Sequence, residues 1–124
     1  MSVERYFNTE PYPLIKGDTN PPYVFSVYDS DGAPADLSSY GSLVVTGRVR
    51  EEGSATSLAA ITCTAVDASI GQFKVPAWPS AVTSADEGIL ELEIELDYLG
   101  DATQVQTVYN LVQFRLYEQF GAVV

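Results

Sequence analysis

The stretch "GILELEIELDYLG", residues 88–100, alternates apolar and acidic side chains with almost no interruption. Residues two apart lie on the same face of a strand, whereas on a helix the same residues would be scattered around the axis. Glutamate and leucine are good helix formers, but the sustained period of two outweighs that propensity. The pattern therefore predicts a strand with one buried face and one face that carries a row of carboxylates.

Short apolar runs separated by turn residues recur along the sequence, at a spacing typical of an all-β sandwich or barrel. The other predicted strands cover 23–29, 43–51, 57–66 and 71–77. A long strand or a bent pair of strands is expected over 105–120, and one helical turn after Pro79. Four residues of that last segment fall on the inward parity: Val108, Val112, Phe114 and Leu116.

Residues 1–22 differ from the rest because prolines are mixed with aromatic side chains. Proline fixes φ and lacks a backbone donor, so this segment is predicted to be an extended arm rather than a helix. The arm is expected either to pack on its own domain or to lie on a neighbouring subunit. The sandwich would then cover 23–120, and residues 121–124 would form a C-terminal tail.

The chain has 124 residues, which suits one domain, and a formal net charge of −11. This charge repels phosphate backbones and anionic lipids, so we expect neither nucleic-acid nor membrane binding, whereas a basic protein surface is an allowed partner. The sequence contains no stretch typical of a secretory signal or a membrane span. It is therefore expected to be a soluble protein that is synthesised in the cytoplasm.

Few side chains are suited to catalysis or metal binding. The sequence has no histidine and a single cysteine, Cys63, which excludes an intrachain disulfide and a multi-cysteine zinc site. Cys63 lies in the apolar run "AAITCTAV", where a buried thiol is expected rather than a nucleophile, because no partner base is at hand. No glycine-rich phosphate loop or nucleophile elbow occurs, so we expect no enzyme activity, no cofactor and no metal.

The row of carboxylates in 88–100 has three interpretations: a cation site, a glycosidase pair, or the solvent face of a sheet. Hard cations prefer oxygens that converge from loops, and a glycosidase needs two carboxylates facing each other across a cleft. In an immunoglobulin-like sandwich this strand would lie between 43–51 and 105–120, whose arginines have the matching parity. We therefore predict a charge-compensated outer face that contains Glu91, Glu93, Glu95, Arg48, Arg50 and Arg115.

Loop and aromatic residues supply the remaining candidates. The loop "DSDGAPAD", residues 29–36, begins like a calcium loop, but its twelfth position is Tyr40 instead of glutamate, so a tight Asp-Gly turn is predicted. Trp78 is interpreted either as a ligand anchor or as an aromatic cap on one end of the sandwich. The eight tyrosines favour a partner surface. The candidate interface residues are Tyr6, Phe7, Tyr12, Trp78 and Phe120.

The segment "LIKGDTNPPYVFSVYDSDGAPADLSSY", residues 14–40, resembles the opening of an immunoglobulin-like domain of tailed-bacteriophage structural proteins, such as the amino-terminal domain of siphophage baseplate upper proteins. The similar features are the Lys-Gly-Asp-Thr turn at 16–19 and the Asp-x-Asp-Gly-x-Pro-x-Asp-Leu turn at 29–37. Farther along, "GQFKVPAW" and "ADEGILELEIEL" resemble two strands of that family. The resemblance implies an immunoglobulin-like antiparallel β-sandwich of about seven strands with an extended N-terminal arm.

The resemblance also implies a virion structural protein, an adaptor or attachment component of the tail, baseplate or neck that acts through protein–protein contacts. The alternatives are a capsid decoration protein and a small-ligand or carbohydrate-binding sandwich that uses Trp78 and Tyr40. The implied partners are other virion proteins, and virion symmetry implies a trimer or hexamer in the particle. The baseplate protein continues into a long helix, whereas this sequence stops soon after its last predicted strand, so a stand-alone component is expected.

Overall fold

Strands make up most of the regular structure in the computed structural model, which describes residues 12–18, 22–108 and 112–117. The strands are β1 (Tyr12–Ile15), β2 (Tyr23–Ser26), β3 (Val44–Glu51), β4 (Ser57–Asp67), β5 (Gln72–Val75), β6 (Gly88–Asp97), β7 (Val105–Thr107) and β8 (Val112–Tyr117). The helical segments are a 3-10 turn at Ala68–Ile70 and the short helix α1 (Ser80–Thr83). Neither of these described helical segments is long and apolar enough to cross a membrane.

The strands form one curled sheet in the order β1-β8-β6-β3-β4-β5-β2, and β7 pairs with the end of β6. Strand β4 joins the two layers, because its residues 57–63 pair with β3 and its residues 64–67 pair with β5. The predicted all-β sandwich is confirmed, and β6 lies between β3 and β8. The sheet is mixed rather than wholly antiparallel, because β1 runs parallel to β8.

The core lies between the two layers and is built around the inward face of β6. Four inward residues of this strand are at most 3% exposed: Leu90, Leu92, Ile94 and Leu96. On the facing layer, the rings of Phe25 and Phe73 stack with their centroids 6.4 Å apart. Burying one such side chain contributes about 1.5–3 kcal/mol relative to leaving it in water. The alternation in β6 therefore fixes which of its faces turns inward.

The described part of the C-terminal segment contains two strands, β7 and β8, rather than one long strand. Strand β7 pairs with the end of β6 at Asp97, whereas β8 pairs with the first half of β6. Residues 109–111 lie outside the described part of the chain. The four residues that the parity predicts to point inward are at most 4% exposed: Val108, Val112, Phe114 and Leu116.

Two strands end earlier than the sequence predicts. Strand β2 stops at Ser26 because the backbone of the next residue, Val27, forms its hydrogen bonds with other segments. The Val27 N–H donates to the Gly71 carbonyl, and the Val27 carbonyl accepts from the Ala35 N–H. Gly71 has a φ of +67°, and a Cβ there would lie 2.5 Å from the Val27 carbonyl oxygen, so glycine is required where these segments meet. Strand β5 stops at Val75, because the following proline has no N–H to donate.

Part of the segment predicted to be an arm belongs to the sandwich. Strand β1 pairs with β8, Leu14 is buried in the core, and the Lys16 N–H donates to the Tyr117 carbonyl at 2.9 Å. Proline is compatible with this position because β1 is an edge strand, where one row of backbone donors is not needed by the sheet. Residues 1–11, 19–21 and 118–124 lie outside the described part, and with them Tyr6, Phe7, Phe120 and the predicted C-terminal tail.

Candidate interaction surfaces

The outer face of β6 carries the predicted row of carboxylates beside the arginines of β3. Arg48 Nη1 lies 2.6 Å from Glu95 Oε2, and Arg50 Nε lies 3.0 Å from Glu91 Oε1. Glu93 is the register partner of Arg48 and lies between the two paired glutamates. Ion pairs that are this exposed typically contribute about 0.2–1 kcal/mol each, so they compensate charge more than they stabilise the fold.

Arg115 departs from the predicted pairing. Its register partner on β6 is Ile89 rather than a glutamate, and its guanidinium lies 5.7 Å from the centre of the Tyr117 ring. Within the described residues, Arg115 therefore makes a cation–π contact in place of an ion pair. The interaction of a cation with an exposed ring is worth about 0.5–1 kcal/mol, similar to the surface ion pair that was expected.

A shallow cleft of about 130 Å³ lies on this outer face, close to the β3–β4 turn. Its lining residues are Arg48, Val49, Arg50, Ala55, Ser57, Glu91 and Glu93. Two of the carboxylates of β6 are already engaged by arginine, so the face does not present a row of free oxygens to a cation. In the described part of the chain, no group of three or more cysteine or acidic side chains is arranged to hold a metal ion.

The loop at 29–36 is a turn whose oxygen atoms bind its own backbone. Asp29 Oδ1 accepts from the Asp31 N–H at 2.9 Å and from the Ala33 N–H at 3.1 Å. Gly32 has a φ of +81°, which glycine adopts without strain. These bonds account for the Asp-x-Asp-Gly pattern through turn geometry, without a bound cation.

Three further aspartates repeat one local motif, in which the carboxylate accepts from the N–H and hydroxyl of a serine or threonine two residues later. The pairs are Asp36 with Ser38, Asp67 with Ser69, and Asp101 with Thr103. The hydrogen bond from the Ser38 hydroxyl lowers the pKa of Asp36, and that from the Thr103 hydroxyl lowers the pKa of Asp101. Asp36 and Asp101 are therefore ionised at neutral pH, because the ordinary pKa of aspartate already lies well below it.

Exposed apolar side chains gather where the loop before β3 meets the β6–β7 loop. The rings of Tyr40 and Tyr98 pack edge to face at 4.8 Å, and burial is the main cause that raises the pKa of Tyr98. Val44 and Val105 are the register partners of Asp97 on either side. We call this surface the loop-end patch, defined by Tyr40, Val44, Leu99 and Val105, which are between 37 and 48% exposed.

The two ends of the strand order, β1 and β2, meet at an aromatic seam. The Tyr12 and Tyr23 rings lie 5.2 Å apart, and the Phe114 ring lies 5.0 Å from Tyr23. We call the groove along this contact the seam groove; it has a volume of about 230 Å³. Its lining residues are Tyr12, Pro13, Leu14, Pro22, Tyr23, Trp78 and Phe114.

Trp78 is a core residue, which agrees with its interpretation as an aromatic cap and corrects its assignment to an interface. It is 2% exposed, and its ring packs against Phe114 at 4.9 Å, because the chain after β5 folds over the end of the sandwich. Phe114 is the register partner of Leu90 near the start of β6, whereas Tyr40 contacts Tyr98 beyond its end. Trp78 and Tyr40 therefore do not form the common platform that a carbohydrate site would need.

Cys63 is a buried thiol, as its apolar surroundings predict. It is 7% exposed, and burial raises the pKa of its thiol to about 12. The thiolate fraction at neutral pH is consequently negligible, and a thiol in its neutral form is a poor nucleophile.

Sequence reasoning did not identify the loop-end patch or the seam groove. The signal for the patch was available in two short stretches, "SSYGS" and "DYLGD", in which a large apolar residue lies next to glycine in a predicted turn. Comparisons with known proteins add no assignment: no protein-family model matches the chain, and a search of curated proteins found no significant match.

Proposed function

We propose that this chain is a structural component of a tailed-bacteriophage virion, an adaptor or attachment protein of the tail, baseplate or neck that acts through protein–protein contacts. One support is the resemblance of residues 14–40, whose shared residues serve the fold: Asp29 forms a turn and Leu37 is buried. A shared fold does not specify a function by itself, so the surfaces carry the rest of the argument.

The observation that carries the proposal is the meeting, at the seam, of the two strands that end the described strand order. Among the described strands, β1 pairs with β8 alone and β2 pairs with β5 alone, so each has one backbone edge that no described strand occupies. Extended peptide segments bind such edges by adding a strand, and side-chain pockets beside the edge supply selectivity. The seam groove lies next to both edges and offers aromatic and proline surfaces to an incoming segment.

The partners that suit these surfaces are other virion proteins. A net charge of −11 opposes contact with packaged nucleic acid and favours protein surfaces. In a particle with rotational symmetry, the chain would occupy equivalent positions as a trimer or hexamer, with each copy presenting the same edge to its neighbour.

Electron microscopy of intact virions of the source phage, labelled with an antibody against this chain, tests the proposal. Label at the tail tip, baseplate or neck is the expected result, and antibody absorbed beforehand with the purified chain is the control. Label spread evenly over the head would instead identify a decoration protein. Virions that carry no label would overturn the structural role.

A further inference from the structure

The loop-end patch brings four exposed apolar side chains to one region of an acidic protein. Val44 and Val105 flank Asp97 in the sheet register, and a Cβ built on Gly100 would lie 3.6 Å from Val44 Cγ2, so the β6–β7 loop covers the start of β3. The ring of Tyr40 packs edge to face on the half-buried ring of Tyr98. Exposed apolar patches rimmed by polar residues mark protein–protein contact sites, and tyrosine is among the residues that dominate binding energy there.

The described segments that form the rim of the patch are negative and contain no basic residue. The segments 27–43 and 97–108 together contain five aspartates and neither lysine nor arginine. Asp97 accepts from the Gly100 and Ala102 N–H groups, so its carboxylate is held by backbone donors that leave its charge uncompensated. The arginines of β3 are engaged farther along the outer face, with Glu95 and Glu91. A partner surface that is complementary to this rim would therefore be positively charged.

The opposite end of the sandwich is also acidic, but it lacks the same combination. Residues 51–52 and 86–87 carry four carboxylates there. Tyr117 on β8 is an exposed apolar residue near that end, and the Arg115 guanidinium lies over its ring. The loop-end patch differs because neither of its two loop segments contains a basic residue.

We propose that the loop-end patch docks a basic surface of a neighbouring protein, one in which lysine or arginine side chains surround an apolar centre. That this neighbour is another virion protein rests on the function proposed above. The Tyr40 ring and Leu99 supply the buried contact, while Asp97 and Asp101 steer association and make it sensitive to salt. This surface is distinct from the seam groove, so one copy contacts two partners at once.

The docking surface can be tested on the full chain without virions. The probe is a synthetic peptide in which leucines are spaced among lysines, and its control is a peptide of equal length and charge in which each leucine is replaced by serine. Each peptide is titrated into the isotope-labelled protein at low salt, and amide chemical shifts are followed by NMR. The expected result is that shifts concentrate in 36–44 and 97–105, and that the leucine-containing peptide binds more tightly than the serine-containing control.

Matched variants distinguish binding at the loop-end patch from non-specific attraction of the peptide to the acidic protein. Tyr40→Ser is expected to weaken binding of the leucine-containing peptide by about tenfold, the loss typical of an interface anchor. Asp101→Asn keeps the acceptor that Thr103 uses and should reduce the salt dependence of binding, whereas Asp86→Asn, with the same charge change at the opposite end, should not. If Tyr40→Ser disturbs the fold, as judged by its melting temperature, Leu99→Ser replaces it.

Shifts spread over acidic residues at both ends would overturn the docking surface, as would equal effects of the two aspartate substitutions. Binding that is indifferent to the loss of both Tyr40 and Leu99 would do the same. These failures are distinguishable from failure of the virion role, because the peptide titration does not depend on where the protein resides. Labelled virions with a failed titration would leave the adaptor without this docking site.

Discussion

Gly47 occupies the centre of the core face of β3, where a side chain of any size would meet its neighbours. Its register partners are Ile61 on β4 and Ile94 on β6. A Cβ at this position would lie 2.9 Å from Leu92 Cδ1 and 3.5 Å from Cys63 Sγ. The first distance is too short for two carbon atoms, so Gly47→Ala must displace the end of the Leu92 side chain.

The expected cost can be estimated from two opposing effects. Overpacking a core by one methyl group costs about 1–3 kcal/mol. Replacing glycine by alanine in a strand recovers roughly 0.5–1 kcal/mol of backbone entropy. Gly47→Ala should therefore lower the free energy of unfolding by about 1 kcal/mol. Leu92→Val alone should cost about 1 kcal/mol through the lost methylene, but it removes the atom that the new methyl group meets.

Urea unfolding followed by circular dichroism gives the four free energies of this double-mutant cycle. The double variant should be more stable than the sum of the single effects predicts, by about 1 kcal/mol. Gly41→Ala is the control, because a Cβ there has open space around it, so the change should be neutral or slightly stabilising. Additivity within about 0.5 kcal/mol would refute the proposed contact between Gly47 and Leu92.

Leu92→Asp should unfold the domain because it places an unpaired charge in the core. Glu93→Gln should change the free energy of unfolding by no more than about 0.5 kcal/mol. If both variants lose the strand signal in circular dichroism equally, the assignment of a buried and an exposed face to β6 is wrong. As the pH rises from 9 toward about 12, the Cys63 thiol ionises in the unfolded chain but stays protonated in the folded one, so the free energy of unfolding should fall. Urea titrations of the parent and of Cys63→Ala isolate this effect as the difference between their free energies of unfolding. A difference that does not change with pH would contradict the prediction. Deleting residues 1–11 should preserve cooperative unfolding. Deleting residues 1–15 removes β1 and the buried Leu14, so it should lower the free energy of unfolding by about 2–5 kcal/mol. Equal melting temperatures of the two deletion variants would show that β1 contributes little to stability.

The local part of the fold could be predicted from the sequence. The period of two in 88–100 predicts the strand and its inward face, because alternating burial depends only on neighbouring residues. Parity together with strand order also brings Arg50 beside Glu91 and Arg48 beside Glu95. Arg115 shares that parity, but its register partner is Ile89, because parity does not specify how β6 and β8 align.

The features that the sequence did not predict arise from contacts between distant segments. The sequence left Trp78 open between a ligand anchor and an aromatic cap, and its packing on Phe114 of the last strand, which no local pattern indicates, favours the cap. The "YPLI" segment of β1 contains a proline and looks like part of an arm, and only its pairing with β8 makes it a strand. The loop-end patch likewise exists because two loops, far apart in sequence, are brought together by β3 and β6.

The residues that carry the phage resemblance and the residues proposed to bind partners perform different tasks within one segment. Asp29 and Leu37 are needed for the turn and the core, so any sandwich with this loop would retain them whatever it binds. Tyr40, three residues after Leu37, is exposed, so it contributes surface for partner contact rather than packing in the core. Proteins that share the turn should therefore differ in their partners at positions such as Tyr40 and Leu99. Partner specificity follows from these exposed positions, which the resemblance does not constrain.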